Sequence, residues 1–329
     1  MTEIYISDPI HPQVLADIQG AATVHLGYGP NKVNYLQISE NIDAVILRAE
    51  NFTKDIIAAS PQLKIIARHG VGTNNVDIDA ATEQGVWVTT TPGANSNAVA
   101  EHVFALLLSG ARHVATAVTQ VRAGNWSEGK ADLIGFELSG RTMGIIGFGA
   151  IGRRVAAIAQ GFGMTVLACD PIANEEDVAA AGAKLVLFDD LITEADAISI
   201  HVPLLPSTRH MIGAQELARM KTSAFIVNTS RGGLVDEAAL AESLSKGLIA
   251  GAAFDVLEAE NIDMKDPLAH TPFPHTTTPG LILTPHIAGQ TEEAFLEAGT
   301  TAWAETKLVL AGEAPTRPVN NPALSPANA

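Results

Sequence analysis

The sequence predicts an α/β fold, with doubly wound parallel sheet and helices on both faces, distributed over two domains. Three observations lead there. Short β-branched and aliphatic runs alternate with helical segments; the alternation is interrupted once by a long amphipathic stretch and then resumes; and the chain has 329 residues. At roughly 100–200 residues per domain, that length exceeds one ordinary core and is comfortable for two. Two domains invite a cleft.

In the first part, runs at 4–7, 44–47, 63–67 and 86–90 read as strands in a βα rhythm. From residue 97 to about 122, Val99, Val103, Leu106, Leu107, Gly110, Val114, Val118 and Val121 recur at three- and four-residue steps, which predicts one long amphipathic helix. Asn95 or Ser96 suits its N-cap, and Pro92-Gly93 breaks the chain just ahead. A second series follows, with strands near 142–146, 165–169, 197–201, 224–228, 251–255 and 281–283 and helices notably at 151–160 and 237–246. Repeated βαβ units with right-handed crossovers wind a sheet on both faces. The segment 261–280, rich in Pro, Thr and His without a hydrophobic period, reads as a loop. A last helix at 291–310 precedes a tail, from Ala314, expected to lie extended on the surface and to fray at its end.

Composition narrows the function classes. The chain is 47% hydrophobic and 17% charged, a balance for large buried elements rather than a disordered or fibrous chain. Thirty-six acidic residues against 20 basic ones give a net charge of −16, and no Lys/Arg-rich block occurs, so nucleic acid and anionic membrane are poor partners. An anionic small molecule is still compatible, because a few arginines and helix N-termini dominate the field inside a cleft. The start of the chain has no basic, apolar signal-peptide pattern, and the most apolar helical run, 103–108, is far short of the ~20 residues a bilayer requires. The single cysteine, Cys169, precludes an intrachain disulfide and fits a reducing cytoplasm, the expected location; in an apolar run it reads as a packing residue. His270 and His275 lack a third ligand at suitable spacing, so no metal is expected.

The first chemical signal is Gly147-Phe148-Gly149-Ala150-Ile151-Gly152, which follows an apolar strand and opens a helix with Val155, Ala156 and Ile158 at core spacing. Gly147 permits the tight turn, Gly149 lets the backbone approach a pyrophosphate, and Gly152 lets helix and strand close together. The N–H groups of Ala150 and Ile151 then face the phosphates with the helix dipole behind them. The next strand ends on Asp170, eighteen residues after Gly152, where an acid hydrogen-bonds the ribose hydroxyls of NAD and repels the extra phosphate of NADP. Glycines and acid in that context mark a Rossmann-type dinucleotide domain with NAD as cofactor, although Asp170 alone would also suit a turn before Pro171. Arg231 follows the strand at 224–228, at the carboxyl end of the sheet where α/β sites lie; its planar fork can hold a carboxylate and a carbonyl oxygen together, and a surface ion pair is the alternative.

Further phrases occur in order: Arg68-His69-Gly70-Val71-Gly72-Thr73-Asn74-Asn75-Val76-Asp77, Thr91-Pro92-Gly93-Ala94-Asn95, Asn228-Thr229-Ser230-Arg231-Gly232-Gly233, Phe254-Asp255-Val256 and Leu283-Thr284-Pro285-His286-Ile287-Ala288-Gly289. With the glycine loop, they resemble the D-isomer-specific 2-hydroxyacid dehydrogenase family over about 45–320, and within it the phosphoglycerate dehydrogenase-like branch. The resemblance stops after Val319-Asn320, so no appended regulatory domain is expected. It implies a cofactor domain at 99–286 inserted into a smaller, flavodoxin-like substrate domain made of 1–98 and 287–329, with a hinge at the two crossings. It also implies a homodimer to which the long helix contributes.

What the resemblance implies for chemistry is an NAD-dependent oxidoreductase acting on a small 2-hydroxy/2-oxo acid. His286 matches the family's proton donor, Glu260 its supporting carboxylate and Arg231 its substrate clamp. Asn261 stands where the family usually has proline, and Glu258 is a rival; the five-residue spacing from Asp255 favours Glu260. Asp255 resembles the acceptor for the nicotinamide carboxamide and Val202-Pro203 the wall beside the cofactor, with Thr229, Ser230 and Gly289 on the same side. Val71 and Gly72 resemble a carboxylate nest, and Asn95 falls in the same substrate set. Arg48 and Arg68 end neighbouring strands and correspond to arginines that assist with a distal anion, which points to a polar or anionic three-carbon acid. Glu50 could instead pair with Arg48 at the surface. Formate dehydrogenase carries glutamine where Glu260 stands; an NADH-sensing corepressor of the C-terminal-binding-protein type shares the Arg/Glu/His set and remains the non-enzymatic alternative.

Overall fold

The computed structural model describes residues 2–127, 129–263, 266–274 and 278–322. The chain divides into two compact units, Met1–Asn95 with Gln290–Ala329, and Ser96–Gly289. The second unit is therefore an insertion in the first, and its limits differ by three residues at each end from the 99–286 expected.

The first unit contains β1 (Glu3–Ile6), α1 (Pro12–Gln19), β2 (Thr23–Leu26), β3 (Ala44–Leu47), α2 (Lys54–Ala58), β4 (Ile65–Arg68), α3 (Ile78–Glu83) and β5 (Trp87–Thr89). Its five strands pair in parallel in the order β2-β1-β3-β4-β5, the flavodoxin-like order. Side chains alternate between two buried layers, with Ile4, Ile6, Ala44, Ile46, Ile65 and Ala67 on one face and Tyr5, Val45, Leu47 and Ile66 on the other. Burial on both faces is why these strands read as unbroken apolar runs. β2 is an edge strand whose four residues are all half-buried, and its mixed composition carried no strand signal.

The inserted unit contains α4 (Ser96–Ala111), α5 (Val114–Arg122), β6 (Thr142–Ile146), α6 (Ala150–Gly161), β7 (Thr165–Cys169), α7 (Glu175–Ala180), β8 (Lys184–Leu185), α8 (Phe188–Glu194), β9 (Ala197–Ile200), α9 (Ala214–Arg219), β10 (Phe225–Asn228), α10 (Glu237–Ser245), β11 (Gly251–Phe254) and β12 (Leu281–Leu283). All seven strands are parallel in the order β12-β11-β10-β9-β6-β7-β8. The order reverses between β6 and β9, which creates the switch-point crevice of a doubly wound dinucleotide fold.

One expectation is corrected here. The single helix predicted over 97–122 is two helices, broken where His113 adopts a left-handed conformation with φ +52°. Both halves share the helical period, so periodicity alone could not reveal the break; α4 is buried along most of its length, whereas α5 buries no residue. The tail, as far as residue 322, runs along β5 with most of its residues exposed, and its last residues lie outside those described. The Val319 N–H donates to the Val88 carbonyl at 2.7 Å, and the Asn320 side-chain oxygen accepts the Val88 N–H at 2.8 Å. Upstream, α11 (Glu292–Leu310) begins at the N-cap Thr291, whose hydroxyl accepts the Ala294 N–H. Burial would raise the carboxyl of its almost wholly buried Glu305, but hydrogen bonds from the Thr316 hydroxyl, the backbone N–H groups of Arg317 and Thr316 and the Arg317 guanidinium hold it below the usual range. The segment expected as a loop, 261–280, is entered by a 3-10 turn at Glu258–Asn261, contains another at Pro267–Ala269 and buries Phe273, while His275 lies outside the described residues.

Candidate active site

The glycine loop follows β6 at the switch point. Gly147 has φ +92°, and a Cβ there would lie 2.8 Å from the His201 carbonyl carbon, so geometry and space both require glycine. A Cβ on Gly152 would come within 2.2 Å of the Gly147 carbonyl oxygen, which lets α6 sit against the loop, whereas one on Gly149 would meet no atom within 4 Å. Gly149 is the N-cap of α6 and offers no side-chain cap, so the first-turn N–H groups, including those of Ala150 and Ile151, are left for an anion. Asp170 closes β7, and its carboxylate accepts the Phe148 N–H at 2.7 Å and the Ile172 N–H at 3.0 Å, stitching the acid to the glycine loop.

Beside this loop, buried polar atoms lack a partner among the described residues: Thr229 Oγ1 after β10 and His201 Nδ1 after β9. His201 Nε2 lies 2.8 Å from Ser199 Oγ, and burial pushes its pKa down to about 3, so the imidazole is neutral. Ser230 Oγ donates to the Val202 carbonyl at 2.7 Å, which ties the loop carrying Arg231 to the Val202-Pro203 segment. Uncapped helix N–H groups, an open face over Gly149 and orphaned donors at the strand ends fit a dinucleotide. Thr229 was already among the cofactor-side residues named from sequence, whereas His201 could not be singled out, because it gains its meaning from burial.

The catalytic candidates meet in the same unit. Asn228, fully buried, receives the Ser230 N–H on its oxygen at 3.0 Å and donates its amide to the Arg231 carbonyl at 2.8 Å, which locks the turn that presents Arg231. Arg231 Nη1 donates to the Ser230 carbonyl at 2.7 Å. Asp255, 1% exposed, accepts the Thr284 hydroxyl at 2.6 Å and the Ile287 and Ala288 N–H groups at 2.9 and 2.7 Å. It thereby folds the turn leading to Gly289, so its visible work is to shape the backbone around His286. His102 on α4 reaches the same knot, with Nε2 3.1 Å from Thr284 Oγ1, a contact the sequence reading did not anticipate.

His286 has φ +55°, a conformation non-glycine residues rarely adopt; its N–H donates to the Asp255 carbonyl at 2.9 Å. Its Nδ1 lies 2.7 Å from Glu260 Oε2, while Glu260 Oε1 accepts the Leu257 N–H at 2.8 Å and so caps its own 3-10 turn. The hydrogen bond to Glu260 raises the His286 pKa above its ordinary 6.5; burial opposes it, the Glu260 and Asp255 charges reinforce it, and Arg231 lowers it. Glu258, the rival carboxylate, is engaged elsewhere: it pairs with the Arg209 guanidinium and lies 3.0 Å from His210 Nε2.

The substrate candidates gather in the other unit, at the carboxyl ends of β3 and β4. The Arg48 guanidinium stacks over the Phe295 ring at 4.5 Å, and burial lowers its pKa. Glu50 accepts the Tyr5 hydroxyl at 2.8 Å instead of pairing with Arg48. Arg68 turns to backbone oxygens: Nε donates to the Gly72 carbonyl at 2.7 Å, and Nη1 to the Leu47 carbonyl at 3.0 Å and to that of Arg48. It braces the loop in which Val71 is exposed. Asn95 is the last residue of the unit before α4. Among the described residues no group of three or more His, Cys, Asp or Glu could hold a metal, and no helix is long and apolar enough to cross a membrane.

Comparison with known proteins agrees with this geometry. Residues 104–288 match the family described as D-isomer specific 2-hydroxyacid dehydrogenase, NAD binding domain. The chain is 39% identical over 324 residues to a D-3-phosphoglycerate dehydrogenase of Methanocaldococcus jannaschii, covering 98% of this chain and 60% of that protein. It spans about three fifths of the length of the D-3-phosphoglycerate dehydrogenases it matches. It is also 39% identical over 267 residues to a glyoxylate reductase of Korarchaeum cryptofilum, covering 80% of this chain and 78% of the relative. Among solved structures, a protein of Thermus thermophilus superposes with TM-score 0.84 at 30% identity, covering 97% of this chain and 100% of its own. A D-lactate dehydrogenase of Aquifex aeolicus complexed with NAD and lactic acid gives 0.78 at 27% identity over 95% and 96%. With its parallel seven-stranded sheet, glycine loop and matched segment, the chain belongs to the D-isomer-specific 2-hydroxyacid dehydrogenase family, in its phosphoglycerate dehydrogenase-like branch, and carries that family's NAD-binding domain.

Proposed function

We propose that the protein interconverts a small 2-oxo acid and its 2-hydroxy acid with NAD(H). The observation that carries this reading is the 2.7 Å contact of His286 Nδ1 with Glu260 Oε2 in the unit that holds the glycine loop. The bound nicotinamide supplies or accepts the hydride. Arg231 holds the carboxylate and polarises the carbonyl through its planar fork. Glu260 keeps Nδ1–H of the imidazolium oriented, so that Nε2–H delivers a proton to the forming hydroxyl; in oxidation the neutral ring takes it back. A panel of 2-oxo acids with NADH, followed by loss of nicotinamide absorbance, tests the reading. NADH binding without turnover of any acid would overturn it in favour of an NADH-sensing protein.

Asp170 supports NADH over NADPH, because its carboxylate would face the additional phosphate at short range. The expected result is a kcat/KM at least about tenfold higher with NADH, a difference of about 1.4 kcal/mol. A preference for NADPH would reassign Asp170 to shaping the glycine loop alone.

For the substrate, we infer a polar or anionic three-carbon acid. Arg48 supports this: among the described residues no carboxylate stands within ion-pair distance of it, and its stacking on Phe295 keeps a partly desolvated cation in place. Arg68, occupied with carbonyl oxygens, supports the same site by bracing the backbone. Arg48→Ala should raise KM for hydroxypyruvate phosphate about 10- to 100-fold, and far less for pyruvate, since a charge-assisted hydrogen bond contributes about 1.5–3 kcal/mol. Equal changes for both acids would remove the anion-binding role.

We further propose that the chain forms a homodimer through α5. Val114, Val118 and Val121 lie at helical spacing on one face and are 47%, 43% and 52% exposed, an unpartnered apolar stripe that a second copy would cover. Sedimentation equilibrium should give a dimer for the native chain and a shift to monomer for Val118→Glu. A native monomer at micromolar concentration would count against it.

A further inference from the structure

We propose that Glu237 is a positioning residue: together with Gly232 it clamps the Leu257–Glu258 peptide, and through that peptide it sets Glu260 against His286. The inference rests on the catalytic reading above and adds to it a residue that touches neither substrate nor cofactor.

Glu237 is the first residue of α10 and is only 2% exposed. An acid in a first helical turn ordinarily caps its own helix or faces water. Here the cap is already made, because the Asp236 carboxylate accepts the Ala239 N–H at 3.0 Å. The Glu237 side chain instead leaves its helix. Oε1 accepts the Glu258 N–H at 2.6 Å, and Oε2 lies 3.5 Å from the Thr271 hydroxyl.

The same peptide is also met by the Arg231 loop. A Cβ on Gly232 would lie 2.0 Å from the Leu257 carbonyl carbon and 2.2 Å from the Glu258 nitrogen, so the backbone next to Arg231 rests directly on the Leu257–Glu258 peptide. One residue earlier, the Leu257 N–H is taken by Glu260 Oε1 at 2.8 Å. The turn that carries Glu260 is thus fastened at its first peptide by Glu237, apposed there to the Arg231 loop by Gly232, and closed on itself by Glu260. Only then is Glu260 Oε2 presented to His286. The clamp couples the register of the Arg231 loop to that of the Glu260 turn.

A buried carboxylate is a costly way to hold one N–H group. Burial pushes Glu237 up to about 7, and the neighbouring Glu258 and Glu260 charges push the same way, while the Glu258 N–H and Thr271 pull it down. Glu258 is itself faced by Arg209 and His210, and His286 by Glu260, Asp255 and Arg231. The acceptor atom, which an amide retains, is what the clamp needs.

The test uses the full chain and the His286 ring titration read by 1H–13C NMR without substrate, assigned with His286→Gln. Glu237→Ala should lower the His286 midpoint toward its ordinary value, because Glu260 is no longer held in contact. Glu237→Gln should leave it within about 0.3 of native, since the amide oxygen still accepts the Glu258 N–H. In turnover with a 2-oxo acid, Glu237→Ala should lose about 10- to 100-fold in kcat with KM changed less than about threefold, and Glu237→Gln should recover most of it. If Glu237→Ala does not fold, Gly232→Ala, whose Cβ would push the Leu257–Glu258 peptide out of place, should produce the same downward shift of His286. An unchanged His286 titration in whichever of these two folds, or a glutamine variant as impaired as the alanine one, overturns the proposal. Absence of turnover in the native chain would instead overturn the catalytic reading and leave the titration result standing.

Discussion

Replacement of His286 by alanine should lower kcat for reduction of a 2-oxo acid by about 10²- to 10⁴-fold, the range for loss of a positioned general acid. KM should change little, because the carboxylate of the substrate is assigned to Arg231. The pH dependence carries the sharper information. Reduction requires the protonated ring, so the rate is fully present below the His286 pKa and is lost as pH rises through it. Glu260 holds that pKa above 6.5 by accepting a hydrogen bond from Nδ1. Glu260→Gln should therefore move the falling limb of the profile to lower pH, with the plateau at low pH largely kept. A limb that stays where it is in the native protein would mean that another group carries the proton. Glu258 is a poor replacement, since Arg209 and His210 already face it.

Arg231→Ala should lower kcat/KM by about 10²- to 10⁴-fold. Each charge-assisted hydrogen bond contributes about 1.5–3 kcal/mol, and loss of a two-pronged grip on a carboxylate and carbonyl removes about twice that. Arg231→Lys should recover only part, because an ammonium is a point charge without the planar fork. The loop should survive either change, since Asn228 holds it through the backbone N–H of Ser230 and the carbonyl of Arg231. NADH affinity within about threefold of native, measured by fluorescence, would locate the loss in substrate binding and chemistry. A kcat/KM within about threefold of native would falsify the clamp.

The readable parts of this protein are those in which one short segment carries its own constraint. Gly147, Gly149 and Gly152 could be assigned separate tasks from spacing alone, and the structure finds a positive φ at the first, open space at the second and a close backbone at the third. Asp170 lies at the end of its strand by the same local logic. Central strands declared themselves as apolar runs because parallel sheet is buried on both faces. β2 and β8 did not: each is an edge strand, Thr23–Leu26 half-buried throughout and Lys184–Leu185 only two residues long.

Sequence by itself determined the fold class, the dinucleotide fingerprint and, through resemblance, which arginine, glutamate and histidine to watch. Tertiary structure alone decided how those residues are held. It turned Arg68 to carbonyl oxygens while Arg48, read as its equal, stacks on Phe295 from a distant part of the chain. It gave Glu260 and Glu258 different partners, where the sequence had only a spacing from Asp255 by which to prefer Glu260. It made Glu237, by sequence an ordinary acid at a helix start, a buried carboxylate on a neighbouring turn. The physical reason is the same in each case. Helical period, turn chemistry and strand burial act over a few residues and leave a pattern in the chain, whereas the destination of a polar side chain depends on which unsatisfied peptide group the fold brings beside it, and that depends on contacts far apart in sequence.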